Sequence, residues 1–206
     1  MAKEGPVKEE KGAYRPLSYF QLMEVTLREL LVEKGYLTEA QVAAEVENMR
    51  SRTPERGALV VARAWTDPAF KQKLLENGSR ACESLGLDVA PMRLVVVENT
   101  PEVHNVIVCT LCSCYPRPLL GIPPDWYKSR AYRSRMVREP RAVLAEFGLH
   151  IDEGRAIRVH DSSADMRYMV LPMRPEGTEG WDEARLAALV KRDDMIGVSV
   201  PRAPRD

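Results

Sequence analysis

No uninterrupted apolar run in the 206 residues approaches the roughly 20 positions that a membrane-spanning helix needs, which excludes a helical membrane protein. Net charge is also missing. Lys+Arg and Asp+Glu stand at 30 each, so no global field draws the chain to nucleic acid or to an anionic membrane. The charged stretch from Met1 to Glu10 lacks the apolar centre of a signal peptide, which sets the expectation of a cytoplasmic protein. Internal repeats and low-complexity segments are absent as well. Cysteine is scarce, four in all, yet three of the four fall within six positions. In a reducing compartment such thiols serve metal binding or catalysis rather than cross-linking.

The cluster is Cys109-Thr110-Leu111-Cys112-Ser113-Cys114, spaced Cys-x-x-Cys-x-Cys. Neighbours this close are poorly placed for disulfides, and a closed zinc site would need a fourth ligand from Cys82 or from His104, His150 or His160. An iron–sulfur cluster also wants four thiolates, and a thioredoxin-like pair has two cysteines opening a helix. What the spacing suits is chelation. The Cys112 sulfur, the amide nitrogens of Ser113 and Cys114, and the Cys114 sulfur can grip one ion through consecutive small rings, with Cys109 reaching it from one turn earlier. That makes five ligands and leaves one octahedral corner open. Deprotonating peptide nitrogen requires a strong-field ion, so the claw argues for trivalent iron or cobalt over zinc.

Length allows one sizeable core plus an extension, or two small domains. Apolar residues between Pro16 and Val32 recur at helical spacing up to the stop at Gly35, and Thr38 with Gln41 reads as a capping box opening a second helix to about Met49. This hairpin is expected to form an N-terminal helical arm, residues 1–56, suited to a partner chain; positions before about 15 read as loose. The remainder, 57–206, is expected to be the metal-binding catalytic domain. It opens with helices over Gly57–Trp65, from the Asp67-Pro68 cap to Asn77-Gly78, and over Ser79–Leu85. Runs of β-branched residues at Arg93–Glu98 and Val103–Val108, separated by a turn signal at Asn99-Thr100-Pro101, read as strands. The cysteine cluster follows the second strand directly, a loop position suited to chemistry. The proline-rich stretch Tyr115–Pro124 is expected to hold no regular structure. A helix from Pro140 to Phe147, strands at Ala156–Asp161 and Arg167–Leu171, and a last helix from the Asp182 cap to about Val190 complete an α+β fold, a helical arm followed by a layered α/β domain with the metal loop after a central strand.

Val108-Cys109-Thr110-Leu111-Cys112-Ser113-Cys114-Tyr115-Pro116 resembles the metal-binding motif of nitrile hydratase alpha subunits. The likeness continues through Gly121–Ser129, Tyr132–Arg141, Arg167–Pro172 and Gly177–Trp181, most of the chain from about Ala58 to Val198. The resemblance implies that Cys109 is the axial thiolate, that Cys112 and Cys114 are equatorial sulfurs, and that the amides of Ser113 and Cys114 complete the metal ligands. It further implies oxidation of Cys112 to sulfinate and Cys114 to sulfenate, with these two as the catalytic residues. Thr110 and Tyr115 are similar to the cobalt type, implying one Co(III) per chain, with Fe(III) as the alternative. The implied reaction is hydration of a nitrile to its amide. The implied partners are a beta-type subunit whose arginines balance the oxidised sulfurs, room for a third subunit, a cobalt-delivery activator protein and a small nitrile. Arg167 is expected to brace the cluster from outside the ligand set.

Arg130, Arg133, Arg135, Arg138 and Arg141 offer a local charge balance, but are expected to be solvated or subunit-facing. The histidines and Asp161 are expected to be structural, and Cys82 to be core. The implied substrate pocket comprises Tyr115, Arg117 and Leu119. Arg117 stands where the family commonly has tryptophan, which favours polar, anionic or bulky substrates over small apolar nitriles. Ala90-Pro91 stands where a Gln-Gly pair is usual. Two further readings stay open: the metal-binding subunit of thiocyanate hydrolase, which looks similar in this motif, and a non-catalytic metal-binding protein.

Overall fold

A computed structural model describes residues 16–204; the loose segment expected before about 15 lies outside them. Contacts divide the chain into two units, Met1–Glu47 and Asn48–Asp206. The first carries α1 (Tyr19–Glu33) and most of α2 (Glu39–Ser51). Ser18 caps α1, accepting from the Gln21 amide while the Gln21 side chain accepts from the Ser18 amide. Thr38 and Gln41 make the same reciprocal pair before α2, as their spacing foretells. Neither helix buries a side chain, and Phe20, Leu22, Met23 and Leu27 of α1 are exposed.

The second unit opens with α3 (Pro54–Thr66), α4 (Pro68–Glu76) and α5 (Gly78–Glu83). Helix α3 starts three residues before the expected Gly57 because Pro54 fits a first turn, where no intrahelical N–H bond is required. Asp67 ends α3 and caps α4, its carboxylate accepting from the amides of Ala69 and Phe70. Asn77 likewise ends α4 and caps α5. Val60, Val61 and Ala64 of α3, Phe70 and Leu74 of α4, and Ala81 and Cys82 of α5 enter one core with the strands.

The strands are β1 (Arg93–Glu98), β2 (Val103–Val108), β3 (Ala156–Asp161) and β4 (Met166–Leu171). Strands flanking a short turn do not pair with each other here. Instead β1 pairs with β4 and β2 with β3, both in parallel. The turn at Asn99 is a corner between the two sheets. Its backbone N–H extends the first ladder to Leu171, and its side-chain oxygen accepts from the Asn105 amide of β2 at 2.7 Å. Burial on both faces suits parallel pairing, and β2 is buried from His104 to Val108.

Between β2 and β3 the chain forms α6 (Arg117–Leu120), α7 (Asp125–Lys128), α8 (Arg130–Arg138) and α9 (Pro140–Glu146). The single turn α6 corrects the expectation that Tyr115–Pro124 lacks regular structure. Pro118 sits early enough for its missing N–H to cost nothing, and the amides of Leu119 and Leu120 both find the Pro116 carbonyl. The last expected helix ends early, as α10 (Glu183–Ala187), and a further helix beyond it, α11 (Arg192–Ile196), was not expected; Asp194 starts it by turning back to accept from the Lys191 amide. The architecture is α+β.

Candidate metal centre

The loop leaves β2 at Val108 and returns to the core at Tyr115. Cys109 is fully buried and Cys114 nearly so, while Cys112 and Ser113 face outward. This alternation folds the three sulfurs onto one point. Cys109 Sγ and Cys112 Sγ are 3.6 Å apart, Cys112 Sγ and Cys114 Sγ 3.3 Å, and all three lie within 4.8 Å of one another. The backbone joins them: the Cys112 amide donates to Cys109 Sγ at 3.3 Å, and the amides of Ser113 and Cys114 face the Cys112 sulfur. Three sulfurs and two inward amides are the donor set that a claw for a strong-field ion requires.

Electrostatics within the cluster is uneven. Hydrogen bonds from the Cys114 thiol, the Ser113 amide and the Cys109 thiol bring exposed Cys112 down to about 7. Burial pushes Cys114 up to about 12; the adjoining Cys112 and Cys109 sulfurs add to the rise, and the Arg167 guanidinium opposes it. Sulfurs this close cannot all ionise without a cation among them. Arg167, near the start of β4, has its Nη1 buried with no hydrogen-bond partner among the described residues. An orphaned donor whose charge reaches Cys114 fits an anionic group at the cluster.

The surroundings hold the loop by its backbone. Asp161, the last residue of β3, takes the Thr110 amide on Oδ1 at 2.9 Å and the Thr110 hydroxyl on Oδ2 at 2.6 Å. Tyr127 donates its hydroxyl to the Cys114 carbonyl at 2.9 Å, and Tyr132 donates to the Ile107 carbonyl at 2.7 Å. The structural role expected of Asp161 is thus a clamp on the loop backbone. Its partner lies 51 positions away, and only the pairing of Val108 with Asp161 in the β2–β3 register makes the contact visible.

The expected substrate-pocket residues do not share one surface. Arg117 is exposed on α6, whereas Tyr115 and Leu119 are buried in the core, Tyr115 donating to the Leu120 carbonyl. Of the five local arginines only Arg133 reaches the loop, and it binds the Thr110 carbonyl at 3.3 Å rather than a sulfur. Arg135 pairs with Glu139 and Glu146, and Arg141 with the carbonyls of Ile151, Asp152 and Arg155. His104 is buried against the Gly197 carbonyl and His160 against Asn105, so both belong to the sheet corner. Cys82 is core, its thiol pushed up to about 12 by burial.

Comparison with known proteins agrees with this geometry. Residues 18–199 match the family model described as nitrile hydratase, alpha chain. The low-molecular-weight cobalt-containing nitrile hydratase subunit alpha of Rhodococcus rhodochrous is 54% identical over 179 residues, 85% of this chain and 86% of the relative. The thiocyanate hydrolase subunit gamma of Thiobacillus thioparus is 42% identical over 212 residues, 97% of this chain and 85% of the relative. A solved recombinant thiocyanate hydrolase with partially modified cobalt centres superposes with a TM-score of 0.85 at 42% identity, covering 93% of this chain and 96% of that one. With the sulfur loop placed as the motif demands and the likeness running nearly end to end, the chain belongs to the nitrile hydratase alpha-chain family.

Proposed function

We propose that this chain is the metal-binding subunit of a cobalt enzyme that adds water across a carbon–nitrogen triple bond, turning a nitrile into its amide. The observation carrying this reading is the convergence of three sulfurs within 4.8 Å on a loop whose middle, Cys112 and Ser113, is open to the outside. Cys109, Cys112 and Cys114 supply sulfur, and Ser113 and Cys114 supply amide nitrogen. Bound there, one trivalent cobalt ion per chain supplies a Lewis acid for the nitrile or for water; Fe(III) is the alternative that the same donors accept.

Cys114, as sulfenate, is the group placed to attack the nitrile carbon or to accept a proton from water, and Cys112, as sulfinate, anchors its neighbour. Arg167 offsets the negative charge of the oxidised sulfurs with its orphaned donor. Asp161 and Tyr127 fix the backbone on either side of the cluster. Arg117 is the member of the expected pocket trio whose side chain is free to meet substrate. An alpha chain implies a beta-type partner, and we assign to that partner the arginines that complete the charge balance and the surface that covers the exposed apolar residues of α1. A cobalt-delivery activator and a cytoplasmic setting belong to the same reading.

A second reading, the metal subunit of a thiocyanate hydrolase, is favoured by one observation: an exposed guanidinium at Arg117 suits an anion. Intact-mass spectrometry of the 109–114 peptide with metal analysis tests the first step. Cobalt, with oxygen adducts at Cys112 and Cys114, is expected; zinc with unmodified thiols would overturn the reading. Turnover of thiocyanate against aliphatic and heteroaromatic nitriles, with the partner subunits present, then separates the two enzymes.

A further inference from the structure

One face of α8 is used neither by the core nor by the sulfur cluster. Arg130, Arg133, Ser134, Val137 and Arg138 follow helical spacing and line one stripe, while Tyr132 and Met136 of the same helix are buried. With Thr110 of the metal loop, this stripe walls an open hollow of about 640 Å³. No ion pair among the described residues satisfies its three guanidinium groups. Arg138 donates to the Ser134 carbonyl of its own helix. Arg133 donates to the Thr110 carbonyl, and its Nε is buried with no hydrogen-bond partner among the described residues. The Asp161 carboxylate, which bounds Thr110, already has both oxygens engaged there, and Arg135 and Lys128 are paired outside the hollow.

Three cations thus gather in a chain of zero net charge. Apolar surface sits among them, Val137 being 49% exposed, and Leu111, which follows Thr110 in the sequence, is 86% exposed. A free anion would satisfy the guanidinium groups but leave that surface in water. A protein surface carrying carboxylates beside apolar side chains would cover both, and arginine with apolar residues is the composition of interface cores.

We propose that the Arg130–Arg133–Arg138 hollow is the seat for acidic side chains of the partner subunit, and that Arg133 passes this docking to the metal loop through Thr110. The inference rests on the reading that the chain works with a second subunit. The test measures association of the full chain with its partner subunit across a salt series, for the wild type, Arg130→Gln, Arg138→Gln and the double variant. Arg80→Gln, an exposed arginine on α5, controls for net charge. The two arginines are exposed, so melting curves are expected to show folded variants. Each single variant should associate several-fold more slowly than the control, the double variant on the order of tenfold more slowly at low salt, and the dependence of affinity on salt should flatten. Rates and salt slopes equal to those of Arg80→Gln would overturn the seat while leaving the two-subunit reading intact. Failure of the wild-type chain to associate would overturn both.

Discussion

Replacing Asp161 asks whether the metal loop is held from outside the cluster. The carboxylate makes two bonds to one residue, 2.9 Å to the Thr110 amide and 2.6 Å to its hydroxyl. Hydrogen bonds to a charged group contribute roughly 1.5–3 kcal/mol when protected from water. Asp161 is exposed and Thr110 half-buried, so solvent competes, and about 1 kcal/mol per bond is the better figure. Asp161→Asn keeps one acceptor and presents an N–H₂ to a hydroxyl that was donating, a loss of about 1 kcal/mol; Asp161→Ala loses both, about 2 kcal/mol. The loss should fall on the loop and not on the fold, because the Ser162 amide still closes the β2–β3 ladder on the Val108 carbonyl at 2.7 Å. The readout is the rate at which a chelator strips cobalt from the loaded enzyme. Opening made easier by these amounts accelerates stripping by roughly fivefold and thirtyfold respectively. Thr110→Ser keeps both bonds and should behave as wild type. Thr110→Val removes the hydroxyl bond, so combining it with Asp161→Ala should add little. Wild-type stripping rates in Asp161→Ala, or strictly additive effects in the double variant, would refute the clamp.

Gly197 has φ +92°, and a Cβ there would lie 2.1 Å from the Asn105 carbonyl oxygen and 2.9 Å from Val106 Cα, both backbone. Gly197→Ala should cost more than about 3 kcal/mol in urea unfolding, against about 1 kcal/mol for Gly86→Ala, which shares the positive φ but meets nothing within 4 Å; equal midpoints would count against it. His104 is buried, and burial pushes its pKa below the ordinary value, so below about pH 6.5 the unfolded chain takes up a proton that the folded chain refuses. Stability should therefore fall as pH drops from about 6.5 towards the folded pKa, by up to about 1.4 kcal/mol per unit. The opposite contribution of Asp194, whose pKa burial raises, is shared with His104→Gln, so that variant should show the flatter melting-temperature profile; parallel profiles would contradict the assignment. Arg117→Trp should shift the ratio of kcat/KM for apolar nitriles over thiocyanate upward by about tenfold or more, and an unchanged ratio would remove Arg117 from the substrate's path.

Helix boundaries were legible where their signals are local. Asp67 and Asn77 each end one helix and cap the next through contacts two or three residues away. The strands were legible as segments, since short β-branched runs admit little else, but their partners were not. A turn signal such as Asn99-Thr100-Pro101 says that the chain reverses, not that the flanking strands bond, and here the buried Asn99 side chain makes the reversal a passage between sheets. The same limit hid the environment of the sulfurs. Their spacing announced the claw, yet the direction taken by Tyr115 and Leu119 depends on α6, a turn that the prolines on either side of Arg117 disguise. Adjacency in sequence to a metal loop is no guarantee of facing it.

The turn between β3 and β4 shows what that topology achieves. Parallel pairing sets the end of β3 beside the end of β2, so the chain must reverse at the point where the cysteine loop begins. Ser162 anchors the reversal twice, its amide on the Val108 carbonyl and its hydroxyl accepting from the Tyr168 amide. Asp161 on one side of it grips the loop backbone, and Arg167 on the other directs positive charge at Cys114. Exchanging the two would fail on electrostatic grounds. A carboxylate against the sulfurs would oppose their ionisation, and a guanidinium has no acceptor to offer the Thr110 amide and hydroxyl. One turn therefore supplies both the fixed backbone and the charge balance that a cluster of anionic sulfurs needs. Moving either residue by one position along its strand would turn its side chain to the opposite face and disable one function while sparing the other.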